Sequence, residues 1–288
     1  MTSHLTGAPG AAAGAAAEIA RGERFAFGAN WSHFLEGLTA DRVTEAERSL
    51  RELLGATSLA GQSFLDIGSG SGLFSLAARR LGARVHSLDY DPQSVACTRT
   101  LRARFFPDDT EWTVEQGSAL DQGYLGSLGR FDIVYSWGVL HHTGAMWTAL
   151  DLAAERVAPG GLLTVAIYNR QRVWTPFWIG VKRSYLALPA PLRPLLVWPY
   201  VLVAGAASAI GDLRRGRAPW RRWQAYGPRG MDLYHDAVDW VGGWPFEVAT
   251  PAELTSFFTA RGLDLRSART VGNRHGCNEF VFHRPRPR

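Results

Sequence analysis

The sequence predicts an α/β protein: a doubly wound, mostly parallel sheet with helices on both faces, an antiparallel last strand and an inserted helical lid. Three observations lead there. Short apolar runs of strand length alternate with helix-length segments from residue 63 to residue 168. The turn after the first run is rich in glycine, Asp66-Ile67-Gly68-Ser69-Gly70-Ser71-Gly72. The alternation then breaks between Arg170 and Glu247 and resumes with one helix and two strands.

The bulk composition is that of a globular chain. Its 288 residues are 46% hydrophobic and 20% charged, enough for one large domain with an insertion. The net charge of +5 comes almost wholly from arginine, with Lys182 the single lysine, and does not by itself call for a polyanionic partner. Cys97 and Cys277 stand far apart with no Cys/His cluster at zinc spacing, so a reduced, cytoplasmic, metal-free protein is expected. Residues 1–20 are apolar through alanine and glycine but lack a basic start, and read as a disordered tail rather than a signal peptide.

Residues 21–60 read as an N-terminal cap. An aromatic cluster (Phe25, Phe27, Trp31, Phe34) precedes a helix through DRVTEAERSLRELLG that stops at Gly55. Residues 61–169 form the core. Strands are expected at 63–68, 84–89, 110–116, 131–137 and 162–168, with helices at 72–81, 92–104 and 145–157, the last ended by Pro159-Gly160-Gly161. Residues 250–288 complete the sheet with a helix from Pro251 to Arg261 and strands at 263–270 and 277–283.

Residues 170–249 are the aromatic-rich insertion and carry most of the eleven tryptophans. No charged residue occurs between Pro194 and Gly211, which approaches the length of a membrane span. Pro199 and the small residues of AGAASAIG favour a buried or surface-touching helix instead. Three roles fit: a lid that excludes water, a peripheral membrane patch (Leu186 to Ile210 beside Arg214, Arg215, Arg217, Arg221 and Arg222), or a contact surface in a homodimer. Monomer and homodimer both stay open.

Glycines let the backbone of the 66–72 turn approach a ligand closely, and Asp66 can pair with a cationic amine. Seventeen residues after Gly72 the second strand ends at Asp89, a carboxylate able to accept from both hydroxyls of a ribose. A glycine-rich turn alone is weak, since dinucleotide folds use the related G-x-G-x-x-G. Here the spacing is G-x-G-x-G with an acid before it. With Gly117-Ser118-Ala119, Phe131-Asp132-Ile133-Val134, Val139-Leu140-His141-His142 and Ala158-Pro159-Gly160-Gly161, the stretch from Gly61 to Tyr168 resembles class I S-adenosylmethionine-dependent methyltransferases.

That resemblance implies S-adenosyl-L-methionine as cofactor and S-adenosyl-L-homocysteine as product. It implies that Asp66, Gly68, Ser69, Gly70 and Gly72 surround the methionine moiety and that Asp89 holds the ribose. It sets Tyr90 against the adenine, Ser118, Ala119 and Leu120 at the adenine edge, and Ser136 and Trp137 on the cofactor floor. Ser118 stands where many relatives have Asp.

The acceptor side is expected at the carboxyl ends of strands four and five. His141 and His142 follow strand four, and an imidazole is a fitting general base for a hydroxyl or a brace for the loop. Tyr168 and Asn169 end strand five. Together with the aromatic insertion they give a looser similarity to ubiquinone-type O-methyltransferases, which implies a small aromatic or hydrophobic acceptor methylated at oxygen. Asp236 and Trp240 in YHDAVDWVGGWPFE read either as a pocket rim or as a Trp-anchored hairpin. Asn278 is a further polar candidate, alongside Asp239, His275 and Glu279, and Phe27 and Trp31 can close the pocket from the cap.

Rival readings are methylation of nitrogen or a carboxyl group on a metabolite or peptide, methylation of RNA, and a non-catalytic cofactor-binding scaffold. Arginine interleaved with tryptophan suits RNA. However, no N-P-P-Y or D-P-P-Y signature follows strand four, where Ser136-Trp137-Gly138-Val139 stands, so nucleic acid is not the expected partner.

Overall fold

A computed structural model describes residues 9–216, 218 and 233–287. Seven strands form one sheet in the order β3-β2-β1-β4-β5-β7-β6. They are β1 (Ser63–Ile67), β2 (Arg84–Asp89), β3 (Trp112–Gln116), β4 (Phe131–Trp137), β5 (Val157–Tyr168), β6 (Asp264–Arg269) and β7 (Cys277–His283). The first five run parallel, and β7 lies antiparallel between β5 and β6. Strand order reverses between β1 and β4, so a crevice opens beyond their carboxyl ends.

Helices cover both faces because the strands are apolar on both. One core packs α7 (Met146–Glu155) and α11 (Pro251–Thr259) through Leu150, Leu254 and Phe258 against Leu163, Phe280 and Phe282. The other packs α3 (Ala40–Leu54), α4 (Leu73–Arg80) and α5 (Pro92–Phe105) through Leu50, Leu76 and Leu101 against Phe64, Val85 and Trp112. Helix ends carry the expected local chemistry. Asp91 accepts from Gln93 N at the start of α5, Gly55 closes α3 at φ 65°, and Thr250 and Glu253 cap α11 reciprocally.

The structure departs from the sequence reading at several elements. Residues 9–20, expected within a disordered tail, form helix α1 (Pro9–Ala20). Alanine is the strongest helix former, Ala15 is buried, and Glu18 ties the helix down by pairing with Arg24 at 2.7 Å. Residues 1–8 lie outside the described residues. The aromatic cluster of the cap is itself helical, α2 (Phe27–Glu36). Strand β5 begins at Val157, five residues early: Gly160 N–H donates to Arg284 O and Arg284 N–H to Gly161 O, so the Pro-Gly-Gly turn is paired with the chain just after β7. A short helix, α6 (Gln122–Ser127), was not anticipated.

Between β5 and α11 stand α8 (Trp174–Ala187), α9 (Pro194–Arg214) and α10 (Leu233–Gly242). The segment read as a pocket rim or hairpin is helical as far as Gly242, because Ala237 and Val241, four residues apart, bury one face of α10, and it runs on irregularly through Glu247. They join a third core with Phe25, Trp178, Tyr185, Val197, Val201 and Phe246. Arg217, Arg221 and Arg222 lie outside the described residues.

Candidate active site

Beyond the β1/β4 switch point lies a cavity of about 440 Å³. Asp66, Gly68, Ser69, Gly70, Asp89, Tyr90, Ser118, Ala119, Leu120 and Trp137 line one part of it, and Phe27, His142, Tyr168, Tyr200, Asp239, Trp240 and His275 another. Trp31 covers the turn: a Cβ added to Gly70 would lie 3.0 Å from its indole. A Cβ on Gly68 would sit 2.3 Å from Val139, and φ there is 83°. These two glycines are required by both backbone angle and space.

Most of the turn's N–H groups are already engaged. Gly68 and Ser69 donate to Leu88 O, Gly70 to Asp89 Oδ2 at 2.9 Å, Gly72 to Ser69 O and Leu73 to Ser71 Oγ. A pyrophosphate is held by free N–H donors, and most of those in this turn are spent, which disfavours a dinucleotide. Two carboxylates dominate it. Burial pushes Asp66 up to about 7, while Ser75 Oγ donates to it at 2.5 Å and pulls the other way. A relay of Trp112 Nε1 to Ser87, Ser87 to Ser75 and Ser75 to Asp66 holds this carboxyl in place. Burial likewise raises Asp89 to about 6, against the N–H groups of Gly70 and Asp91. These two acceptors, with their glycine cradle, fit a ligand carrying a cationic amine and a vicinal diol.

Several sequence candidates fall behind the wall. Side chains alternate along a strand, so Tyr135 and Trp137 reach the cavity while Ser136 turns away and donates to Ile67 O at 2.8 Å. Gly72 packs on Thr98 of α5 instead of facing the cavity. Asn169 and Asn278 bond to each other and to the backbone of the 271–274 loop (Asn278 accepting from Val271, Asn169 donating to Gly272 and Arg274), which latches the end of β5. His141 is fully buried beneath Tyr168, with ring centroids 3.9 Å apart. The side chain of Asp236 lies outside the described residues.

His142 does reach the cavity. Its Nδ1 lies 2.5 Å from Pro245 O, and since a carbonyl only accepts, Nδ1 carries the proton and Nε2 keeps its lone pair. Burial, then the nearby Lys182 and Arg24 charges, hold its pKa down to about 3, so the ring is neutral throughout the physiological range. Arg24 donates to His142 O, and Glu247 N–H to His141 O, so cap and insertion together clamp this turn.

Behind this part of the cavity sits Lys182, which sequence reasoning noted only as the lone lysine. It is fully buried, donates to Trp240 O, and lies 4.6–5.8 Å from the ring centroids of Phe246, Trp240 and Tyr168. Burial lowers it to about 7, with Asp239 pulling upward. Tyr200, Arg24 and Glu18 were also missed. Glu18 and Arg24 meet at Tyr90, whose hydroxyl donates to Glu18 and whose ring faces the Arg24 guanidinium at 5.0 Å.

Residues 38–267 match a family described as a methyltransferase domain. The chain is 28% identical over 173 residues to the ubiquinone biosynthesis O-methyltransferase of Methylobacterium sp. (strain 4-46), covering 60% of this chain and 58% of that one. It is 32% identical over 126 residues to the protein of the same name from Rhodopseudomonas palustris (strain BisA53), covering 43% and 46%. It thus spans about half the length of the curated relatives it matches. Among solved structures, it resembles the magnesium protoporphyrin IX methyltransferase of Synechocystis PCC 6803 with bound SAH (TM-score 0.50, 13% identity, 84% of this chain and 83% of that one). A chain from a Haloferax volcanii complex of a methyltransferase activator and a methyltransferase is similar too (TM-score 0.52, 14% identity, 92% and 99%).

Proposed function

The chain belongs to the methyltransferase-domain family, and on that premise we propose that it transfers a methyl group from S-adenosyl-L-methionine to a small apolar acceptor at a hydroxyl oxygen. The observation that supports the donor half is the turn after β1, most of whose N–H groups are engaged internally while Asp66 and Asp89 face the cavity. When bound, S-adenosyl-L-methionine supplies a methyl group already activated on a sulfonium. Asp66 would meet its amine and Asp89 its ribose. Tyr90, Ser118, Ala119 and Leu120 would border the adenine, with Trp137 beneath and Trp31 closing over Gly70.

The acceptor half rests on a run of rings. Phe27 and His142 are 4.8 Å apart, His142 and Tyr168 5.4 Å, Tyr168 and Trp240 5.0 Å, and Trp240 and His275 5.5 Å. Such a wall favours an aromatic or otherwise hydrophobic acceptor. The insertion acts as a lid that excludes water from it. Neutral His142 offers Nε2 to the acceptor hydroxyl, so an oxygen lone pair is left to face the methyl group. With its pKa near 3 the ring takes the proton late, after the new C–O bond has largely formed, and its first role is alignment.

A transfer assay with methyl-labelled S-adenosyl-L-methionine tests this. Hydroxylated aromatic rings, matched amines and matched carboxylic acids are offered in parallel. Label is expected on the hydroxylated rings. Preferential labelling of the amines or acids would overturn the oxygen assignment, and labelling of RNA alone would overturn the small-molecule reading.

A further inference from the structure

We infer that α9 is a membrane-docking element: its outward face rests in the headgroup region of an anionic lipid surface, with the acceptor end of the cavity directly behind it. Leu195, Trp198, Leu202, Val203, Ile210 and Leu213 are each 52–70% exposed and recur at helical spacing along one face. The remaining exposed positions on that face before Arg214 are Pro199, Ala206 and Ala207. A helix on the surface of a water-soluble domain turns its polar side outward; here the outward side is apolar from end to end.

Charge identifies the occupant. Between residues 171 and 231 the sequence has ten basic residues and a single acidic one, Asp212, whereas the whole chain is only +5, so the rest of the protein is net negative. Asp212 is buried and pairs with Arg215 at 3.5 Å, while Arg214 and Arg215 are exposed where the apolar face ends. An apolar helix face bordered by arginine suits anionic headgroups over acyl chains. A second copy of the chain suits it poorly, because a two-fold contact would set this basic segment against itself. Nucleic acid would use the arginines and leave the apolar face in water.

The helix lies on the surface rather than across it. By length and composition Ala190–Arg214 could span a bilayer. Yet Val197 and Val201 are buried in the core shared with Ala237 and Val241 of α10, so one side of the helix is committed to the protein. That side also carries Tyr200 into the cavity wall. An acceptor dissolved in lipid would then have only one helix to pass, a consequence that rests on the proposed apolar acceptor; the docking itself does not.

Flotation of the purified full chain with vesicles tests the inference. Vesicles of phosphatidylcholine alone are compared with equimolar phosphatidylcholine and phosphatidylglycerol, at low and high salt. The protein is expected to float with the anionic vesicles and to lose most of that binding in high salt. The double variant Leu202→Asp/Ile210→Asp changes exposed positions only and is expected to weaken binding by about a hundredfold, and Arg214→Gln/Arg215→Gln by about tenfold. Calorimetric titration with S-adenosyl-L-methionine on the same samples reads the donor site separately, so loss of docking is distinguishable from failure of the methyltransferase reading. Wild-type protein that stays unbound with anionic vesicles, or apolar-face variants that float as wild type does, would overturn the inference. So would a wild-type dimer, seen by light scattering, that the Leu202→Asp/Ile210→Asp variant splits without any flotation.

Discussion

At the Gly68 end of the cavity the wall is drawn mostly from one strand–turn–helix segment, with Asp89 and Tyr90 from the next strand and Ser118 to Leu120 from the loop after β3. At the Tyr168 end it is assembled from α2, the turn at His142, α9, α10 and the loop before β7, segments more than two hundred residues apart in sequence. The first end is made of backbone angles and two carboxylates, and the second of rings. Backbone that needs φ above +50° and has no room for a Cβ tolerates almost no change. Rings can be exchanged one at a time while the packing adjusts. On the proposed assignment, the donor end is therefore the rigid half of the cavity and the acceptor end the adjustable one.

The contrast between the two ends is expected to be greatest at Gly68. Gly68→Ala forces a side chain into φ 83° and against Val139, and S-adenosyl-L-methionine affinity measured by calorimetry is expected to fall by about a hundredfold or more. Asp89→Ala is expected to weaken the same affinity by roughly 10–100-fold, the worth of charge-assisted hydrogen bonds to a diol. Unchanged affinity in that variant would remove the ribose assignment.

The ring-built end should answer through stability and acceptor binding instead. Lys182 is held near 7 in the folded protein against 10.5 when unfolded. Between those values the unfolded chain binds the extra proton, so this group's contribution makes the fold more stable as pH rises from about 7 to 10; its destabilisation is fully present below 7. Thermal unfolding should show the wild type gaining on the order of 2 kcal/mol relative to Lys182→Met between pH 7 and pH 9. Parallel pH curves for the two would mean that Lys182 titrates normally. Trp240→Ala is expected to raise the acceptor KM by about tenfold and leave S-adenosyl-L-methionine affinity within about threefold. Equal losses at both ligands would show that the two ends are not separable.

What was legible in the sequence follows the same division. Asp66, Gly68 and Gly70 sit in one contiguous turn and Asp89 ends the very next strand, so their chemistry is local and could be read directly. Ser136 misled because neighbouring strand residues face opposite sides, and it stands between the two that reach the cavity. Asn169 and Asn278 looked available because each is polar near a strand end, but they satisfy one another. Lys182 was invisible as a site feature since Tyr168, Trp240 and Phe246 reach it from distant segments. Composition flagged α9 as apolar, and only the fold reveals which of its sides is turned outward.

On this reading the glycine turn and its two carboxylates form a site for S-adenosyl-L-methionine and not for a dinucleotide. Calorimetric titration of the folded protein with S-adenosyl-L-methionine, S-adenosyl-L-homocysteine and NADH separates the two. Micromolar binding of the first two with no heat from NADH is the predicted result; binding of NADH, or silence from all three, would contradict it.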